Sequence, residues 1–476
     1  MEGTMQERKR FYVTTPIYYV NERPHLGHAY STVTADAFAR YQRSVLGADS
    51  VLFLTGTDEH GAKVAAAAEK AGLDPQAFTD RVAAQYQEAW QLLGISHDLF
   101  FRTTDPRHAQ AVQDLLQRLY DAGFIYQGTY RGTYCIGCEK YLAPDEIADG
   151  RCPHHPGTTL QEQEEENYFF RLSALAPRVL SAIESGEFSI LPEGRRSEML
   201  GKLKAGIEDI SISRAGVSWG VPVPWDPTHT VYVWVDALLN YYTATRFEER
   251  LNGFWPADLH LMAKDILWFH ALIWPAFLIA LELPLPRTVL AHGFFTVDGQ
   301  KMSKSVGNVI DPVAMVEEYG ADAFRYLLLT AFSFGNDGDL SLERFREKYN
   351  ADLANGIGNL VSRVATLAER AGMDGSDLER PGAFYPDVAE AMEAFKPDEA
   401  LRAVWLRVAA LDKALHEERP WQLEGDALRA SLFRAMQELV ELAFNLAPAM
   451  PGLAKAIGAI FLGGAVRKPE PLFLRK

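Results

Sequence analysis

A chain of 476 residues exceeds one ordinary domain of about 100–200 residues and calls for several cores. Its hydrophobic share of 48% and charged share of 23% exclude a disordered chain, a collagen or a disulfide scaffold, and no stretch supplies the ~20 uncharged apolar residues of a membrane span. A net charge of −16, from 47 basic and 63 acidic residues, excludes a general polyanion coat and makes any nucleic-acid contact local. Residues 351–476 carry 15 Lys/Arg against 18 Asp/Glu, so the acidic excess lies mostly in the first 350 and a polyanion prefers the C-terminal third. The start, Met1 to Arg10, lacks the apolar core of a signal peptide, which predicts a cytoplasmic protein.

The first predicted element is a buried strand, Phe11-Tyr12-Val13-Thr14-Thr15, stopped by Pro16, with a helix following from about Gly27 through Leu46. Val51-Leu52-Phe53-Leu54 reads as a second strand, and Thr55 to Gly61 leads from it into an Ala-rich helix. This β-α-β-α alternation implies a parallel sheet that binds ligands at the carboxyl ends of its strands. From 120 to 227 the texture changes to short Gly-, Pro- and charge-rich segments, read as an inserted domain. Alternation resumes with Val231 to Val235, Leu259 to Met262 and Thr288 to Leu290, so the sheet is split by the insertion. Beyond Tyr349 the pattern is helical, with long segments near 350–372, 388–416 and 427–447. The expected fold is therefore α/β: a Rossmann-type parallel sheet in two halves, 1–119 and 228–349, split by an inserted domain at 120–227 that the cysteine spacing below makes a zinc-knuckle domain, and an α-helical bundle at 350–476.

Four constellations carry chemistry. His25-Leu26-Gly27-His28 lies between a strand and a helix, where free N–H groups and the helix dipole favour phosphate and two imidazoles three residues apart can face one anion. Alone it is a weak motif that a pair of surface histidines would also produce. Lys301-Met302-Ser303-Lys304-Ser305, alone, is more often a solvated loop. Together the two motifs can neutralise a triphosphate during displacement, and the chain has no Walker loop to do so otherwise. Cys135-x-x-Cys138 and, thirteen residues on, Cys152-x-x-His155 supply two pairs of ligands for one tetrahedral zinc, and four protein ligands make it structural. A redox pair would leave Cys152 and His155 unexplained, and the neighbouring His154 breaks the repeated x-x spacing. Finally, the helical third carries Trp421 after Pro420; taken alone it reads as a core tryptophan beside a helix breaker. Gly356-x-Gly358 lacks the third glycine of a dinucleotide loop and follows a helical segment, so it is set aside.

The paired histidine and Lys-Met-Ser-Lys-Ser motifs resemble those of class I aminoacyl-tRNA synthetases. Thr14 to Asn21, Thr55 to Gly61, Val233 to Ala237, Lys264-Asp265-Ile266, Gly358-Asn359-Leu360 and Pro420-Trp421 are similar to the methionyl-tRNA synthetase family within that class. The resemblance spans nearly the whole chain. It implies ATP-dependent activation of L-methionine to methionyl-adenylate, with Mg2+ on the phosphates, then transfer to tRNA(Met), initiator tRNA included, through the 2′-hydroxyl of the terminal adenosine.

It assigns His25, His28, Lys301 and Lys304 to catalysis, and Gly27, Asp265, His292 and Ser303 with them to ATP. Pro16, Ile17, Tyr19, Trp234, Ala237, Tyr241, Ile266 and His270 fall on its methionine pocket, with Asp58 on the ammonium group. Asn359, Arg363 and Trp421 fall on its anticodon contacts, where Trp can stack on an unstacked base and Asn and Arg can bond base edges. The chain departs from the family at Ala263, Leu238, Asp412 and Ala414. Two rivals remain. A synthetase for isoleucine, valine or leucine would need an editing insertion for which 120–227 leaves little room, and an inactive tRNA-binding paralogue would have no use for both histidines and both lysines. Ending after the helical bundle, without the further module through which some relatives dimerise, the chain is expected to be a monomer.

Overall fold

The computed structural model describes residues 10–21, 23–137, 140–142, 147–297, 299–301 and 310–476. The N-terminal half runs β1 (Phe11–Tyr19), α1 (Leu26–Leu46), β2 (Val51–Asp58), α2 (Ala62–Lys70), α3 (Pro75–Leu92), β3 (Leu99–Arg102) and α4 (Pro106–Asp121). There follow β4 (Ile125–Cys135), β5 (Lys140–Leu142), β6 (Gln161–Phe170), α5 (Leu172–Ser185), β7 (Ser189–Leu191), α6 (Glu193–Ala205), β8 (Ile210–Ser211), β9 (Ser213–Ala215), β10 (Pro222–Val223) and β11 (Asp226–Val231). The second half of the sheet region holds α7 (Val233–Thr243), β12 (Leu259–Ala263), α8 (Trp274–Ala280), β13 (Thr288–His292), β14 (Phe295–Val297), β15 (Gln300–Lys301), α9 (Pro312–Tyr319), α10 (Ala321–Leu329) and β16 (Gly338–Leu340). Helices α11 (Leu342–Lys348), α12 (Gly358–Arg370), α13 (Pro386–Glu393), α14 (Pro397–Glu418), α15 (Gly425–Leu446) and α16 (Pro451–Phe461) complete the chain.

Six strands form one parallel sheet in the order β3-β2-β1-β12-β13-β7. Its inner strands are almost continuous apolar runs because helices cover both faces: β2 is buried along all eight residues. Gly56 in β2 cannot be replaced, since a Cβ there would stand 2.1 Å from the Phe101 carbonyl oxygen of β3. The crevice between β1 and β12, joined to β2 and β13 on either side, is the topological switch point at which such sheets bind ligands.

Two expectations are corrected. Pro16 does not stop β1, which runs on to Tyr19; the register with β2 shifts between Thr14 and Ile17, and such an irregularity absorbs the missing N–H. Val231 to Val235 is not a strand of the main sheet. Its first residue ends β11, in a small antiparallel sheet, and Val233 to Val235 open α7, because a short run of valines buried on all sides carries no period that separates strand from helix. Part of the stretch 120–227 packs on the main sheet. β7 pairs with β13 at the sheet edge, and α5 packs against α8 beside the stacked rings of Phe170 and Phe277, so the apolar residues of 172–183 belong to the sheet's own core. The excursion proper is the antiparallel set β5-β4-β6-β8.

The helical third joins the core on the other face of the sheet: Leu360, Val364, Leu432, Met436 and Leu439 belong to one buried cluster with Phe11, Val33, Phe38 and Phe53. A fully buried ion pair pins this junction. Arg325 of α10 meets Asp36 of α1 at 2.7 Å and donates to the carbonyls of Pro448 and Ala449 ahead of α16, while Asp36 also accepts from the Ser96 N–H. Removing either partner would strand a buried charge, a loss of about 3–5 kcal/mol.

Candidate active site and metal centre

A cavity of about 720 Å3 opens at the carboxyl ends of β1 and β12. It is lined by Pro16, Ile17 and Tyr19 from β1, His25, Gly27 and His28 at the start of α1, and Asp58 at the end of β2. Trp234, Ala237 and Tyr241 of α7 form another wall, followed by Asp265, Ile266 and His270 after β12 and His292 at the end of β13. The structure thus brings together the fourteen residues assigned to methionine and ATP outside the lysine loop. Ser303 and Lys304 lie outside the described residues, as does the side chain of Lys301.

The two motif histidines build the helix start themselves. The His25 ring accepts the Gly27 N–H at 3.1 Å through Nδ1, and the His28 ring accepts the His25 N–H at 3.3 Å through its own Nδ1. These two bonds form a capping box made of imidazoles, with the rings stacked at 3.7 Å. An Nδ1 that accepts carries no proton, so each ring is neutral and holds its proton on Nε2. For His28, burial and then the neighbouring His25 push its pKa well below the ordinary histidine value. Tyr86 completes the setting with its hydroxyl 3.2 Å from His28 Nδ1.

The other two cavity histidines, His270 and His292, are kept neutral by burial. His270 donates from Nδ1 to the Ile266 carbonyl at 2.9 Å and accepts the Tyr241 hydroxyl on Nε2 at 2.8 Å; burial takes its pKa down to about 4. His292 donates from Nδ1 to the Gly293 carbonyl at 2.8 Å and accepts Ser31 Oγ on Nε2 at 2.6 Å, again at about 4 by burial. Trp234 stacks on Phe269 at 3.8 Å, giving the apolar wall a polarizable aromatic surface suited to a thioether. Several cavity residues were not picked out from sequence: Arg23, Ser31, Lys63 and Phe294. Lys63 had one available signal, its place in the first turn of α2 just after the Asp58 to Gly61 turn.

In the insertion, Cys135 and Cys152 are fully buried, and their sulfurs lie with a ring nitrogen of His155 within 4.8 Å of one another. Cys152 Sγ stands 3.9 Å from His155 Nδ1, close to the ~3.5 Å that two ligands keep across a tetrahedral zinc. Gly137 is part of the fit, since a Cβ there would come within 2.4 Å of the His155 ring. The donor set suits a thiophilic metal. Cys138 lies outside the described residues, and exposed His154 is not in the cluster.

In the helical bundle, Asn359 and Arg363 occupy successive turns of α12. Arg363 bonds Asp412 of α14 at 2.7 Å, and His416 one turn on meets the Trp421 ring edge-on at 6.3 Å. Trp421 is 49% exposed and not a core residue. The three residues assigned to the anticodon therefore belong to one surface region, with Asp412, a departure from the family, tied to Arg363.

Comparison with known proteins agrees with this geometry. The profile of tRNA synthetases class I (M) matches residues 11–162 and 155–365. A methionine–tRNA ligase of Clostridium acetobutylicum is 42% identical over 95% of this chain and 73% of its own length, and that of Thermotoga maritima is 42% identical over 94% and 74%. A Mycobacterium tuberculosis methionyl-tRNA synthetase solved in complex with methionyl-adenylate superposes with a TM-score of 0.89 at 37% identity, over 98% of this chain and 99% of that one. With the two histidines opening α1 at the switch point of a parallel sheet, a cluster of sulfur and imidazole donors in the insertion and a helical bundle behind, the chain belongs to the methionyl-tRNA synthetases of class I.

Proposed function

We propose that the cavity carries out the two-step reaction of this family on the residues described above: activation of L-methionine by ATP to methionyl-adenylate, then transfer to tRNA(Met). The observation that carries the reading is the single cavity in which two neutral imidazole donors at a helix N-terminus adjoin an aromatic pocket with Asp58 at its rim. Methionine lies between Ile17, Tyr19, Trp234, Ala237, Tyr241, Ile266 and His270, its ammonium group held by Asp58. The methionine carboxylate attacks the α-phosphorus of ATP and pyrophosphate leaves.

His25 and His28 act as Nε2–H donors toward the developing phosphate charge, worth most where donors are fixed before the reaction. Because both rings are neutral, the formal positive charge has to come from Lys301 and Lys304, with Mg2+ on the phosphates as in the family. Asp265 and His292 lie on the ATP side, and no residue has to become a covalent nucleophile. Leu238, 1% exposed, and Ala263 line the same cavity, so these two departures from the family act on the pocket directly.

Cys135, Cys138, Cys152 and His155 hold one structural zinc in this reading, and Asn359, Arg363 and Trp421 read the anticodon of tRNA(Met), initiator tRNA included. The 120–227 insertion carries the metal and 350–476 the anticodon face. The working unit in this reading is a monomer, and the compartment is the cytoplasm, where charged tRNA is consumed. The deciding measurement is exchange of labelled pyrophosphate into ATP with each of the twenty amino acids. Methionine is expected to support it far better than leucine, whose branch meets the pocket wall; exchange driven best by isoleucine, valine or leucine would overturn the assignment. Elemental analysis is expected to give one zinc per chain, and Gly137→Ala to lower that content.

A further inference from the structure

Beneath the cavity, outside its lining, lies a polar cluster that the reaction does not use. Asp236 of α7 is 1% exposed and has two histidines on its carboxylate: His60 Nδ1 at 2.7 Å from Oδ2, and His108 Nε2 at 3.0 Å from Oδ1. His108, fully buried on α4, is held in turn by Thr243 at the end of α7, with Nδ1 and Oγ1 2.8 Å apart. His60 belongs to the turn after β2. That turn is itself fixed: Trp219 donates from Nε1 to the Glu59 carbonyl at 2.6 Å, and Arg102 clasps the buried Glu59 carboxylate at 2.7 and 2.9 Å. One carboxylate therefore ties three elements together.

We propose that Asp236, with His60 and His108, is the positioning group that sets the methionine pocket, by fixing the rotation and depth of α7 against the turn after β2. The reading rests on the assignment of the cavity to methionine. Its ground is spacing. His60 is two residues from Asp58, which closes one side of the cavity, and Asp236 is next to Ala237 and two residues from Trp234, which form the other. Apolar packing would hold α7 in place but leaves its rotation soft, whereas two N–H donors on opposite oxygens of one carboxylate define it. Burial alone would raise the Asp236 pKa; the two imidazoles more than offset this and bring it to about 2, so the carboxylate is ionised throughout the working range. A displacement of about 1 Å in such a wall is enough to cost a substrate its fit.

The test is methionine-dependent pyrophosphate exchange by the full chain. Asp236→Asn offers only one acceptor oxygen, and His60→Ala removes one donor; each is expected to raise the KM for methionine tenfold or more while the KM for ATP stays within twofold and kcat within threefold. His60→Asn places an amide N–H where Nδ1–H stood and should return the KM for methionine to within threefold of the parent. If Asp236→Asn does not fold, the His60 pair carries the test. An unchanged KM for methionine with a lowered melting temperature, or a fall in kcat alone, would show that the cluster only holds the fold and overturn the proposal. Exchange by the parent chain that does not depend on methionine would instead overturn the assignment of the cavity.

Discussion

The cavity and the bundle face use the same side chains in opposite ways. Around the cavity, His270 and His292 are buried and His28 half-buried, all three neutral, Asp236 is buried and doubly bonded, and Trp234 lies flat on Phe269. On the bundle, His416, Asp412 and Trp421 are all largely open to solvent, joined by the Arg363–Asp412 pair, by His416 against Asp412 one turn away and by an edge contact between the His416 and Trp421 rings. The first arrangement fixes each proton and ring in advance; the second leaves aromatic surface and hydrogen-bonding groups open to solvent, as the proposed contact with unstacked bases requires. Residue type does not separate the two roles. Burial does, because a low-dielectric site makes every fixed donor count and every unmet one costly, whereas a surface contact is discounted by water and salt.

The largest difference should appear with pH. His270 and His292 have folded pKa values of about 4, below the ~6.5 of an unfolded histidine, so the unfolded chain takes up protons first as pH falls. The stability they contribute is full above pH ~6.5 and is lost between there and about 4, by up to ~3 kcal/mol each. Asp236, with a folded pKa of about 2, loses its contribution only below pH ~4 and does not mask the effect. Denaturant unfolding followed from pH 7.5 to 4.5 should show this fall, and replacing His416 should leave it in place; a flat profile would break the contrast.

Next comes His28→Ala. It removes a donor aimed at developing charge and should lower the rate of adenylate formation about a hundredfold, ~3 kcal/mol, with methionine affinity nearly unchanged. Equal losses in affinity with an unchanged single-turnover rate would refute the assigned role. Trp421→Ala should cost ~1–3 kcal/mol in aminoacylation of full tRNA through a lost base stack, spare pyrophosphate exchange, and matter little on an acceptor-stem substrate without an anticodon. Damage to exchange equal to that in charging would mean that the bundle face is not a separate recognition surface. The smallest effect is expected from Asp412→Asn. An ion pair this exposed contributes less than about 1 kcal/mol to stability, so melting should hardly move, while the released Arg363 shifts the charging KM for tRNA by a few-fold.

Much of this was legible in the chain because it depends on local patterns. Phe11 to Val13 and Val51 to Leu54 announced buried strands, the His25–His28 spacing marked a helix start, and Cys135 with Cys152 and His155 announced a metal cluster. The misreadings have local causes as well. Pro16 argues for a strand end until a register shift makes room for it, and Val233 to Val235 has no period to betray a helix. The strand Ser189 to Leu191, which pairs with β13 at the sheet edge, was not legible, since three residues carry too little pattern to be seen.

What the sequence by itself determined is the set of chemical groups and their order: the motifs, the ligand spacings and the alternation that makes a parallel sheet. Only the tertiary structure decided the state of those groups. The neutrality of His28, His270 and His292 follows from burial and from which ring nitrogen accepts a bond. The union of His60, Asp236 and His108, up to 176 residues apart, follows from packing α4 and α7 against one turn. Trp421 is a surface residue because the bundle closes without it. Desolvation and long-range hydrogen bonds depend on neighbours that are remote in the chain, and a linear pattern records no such neighbours.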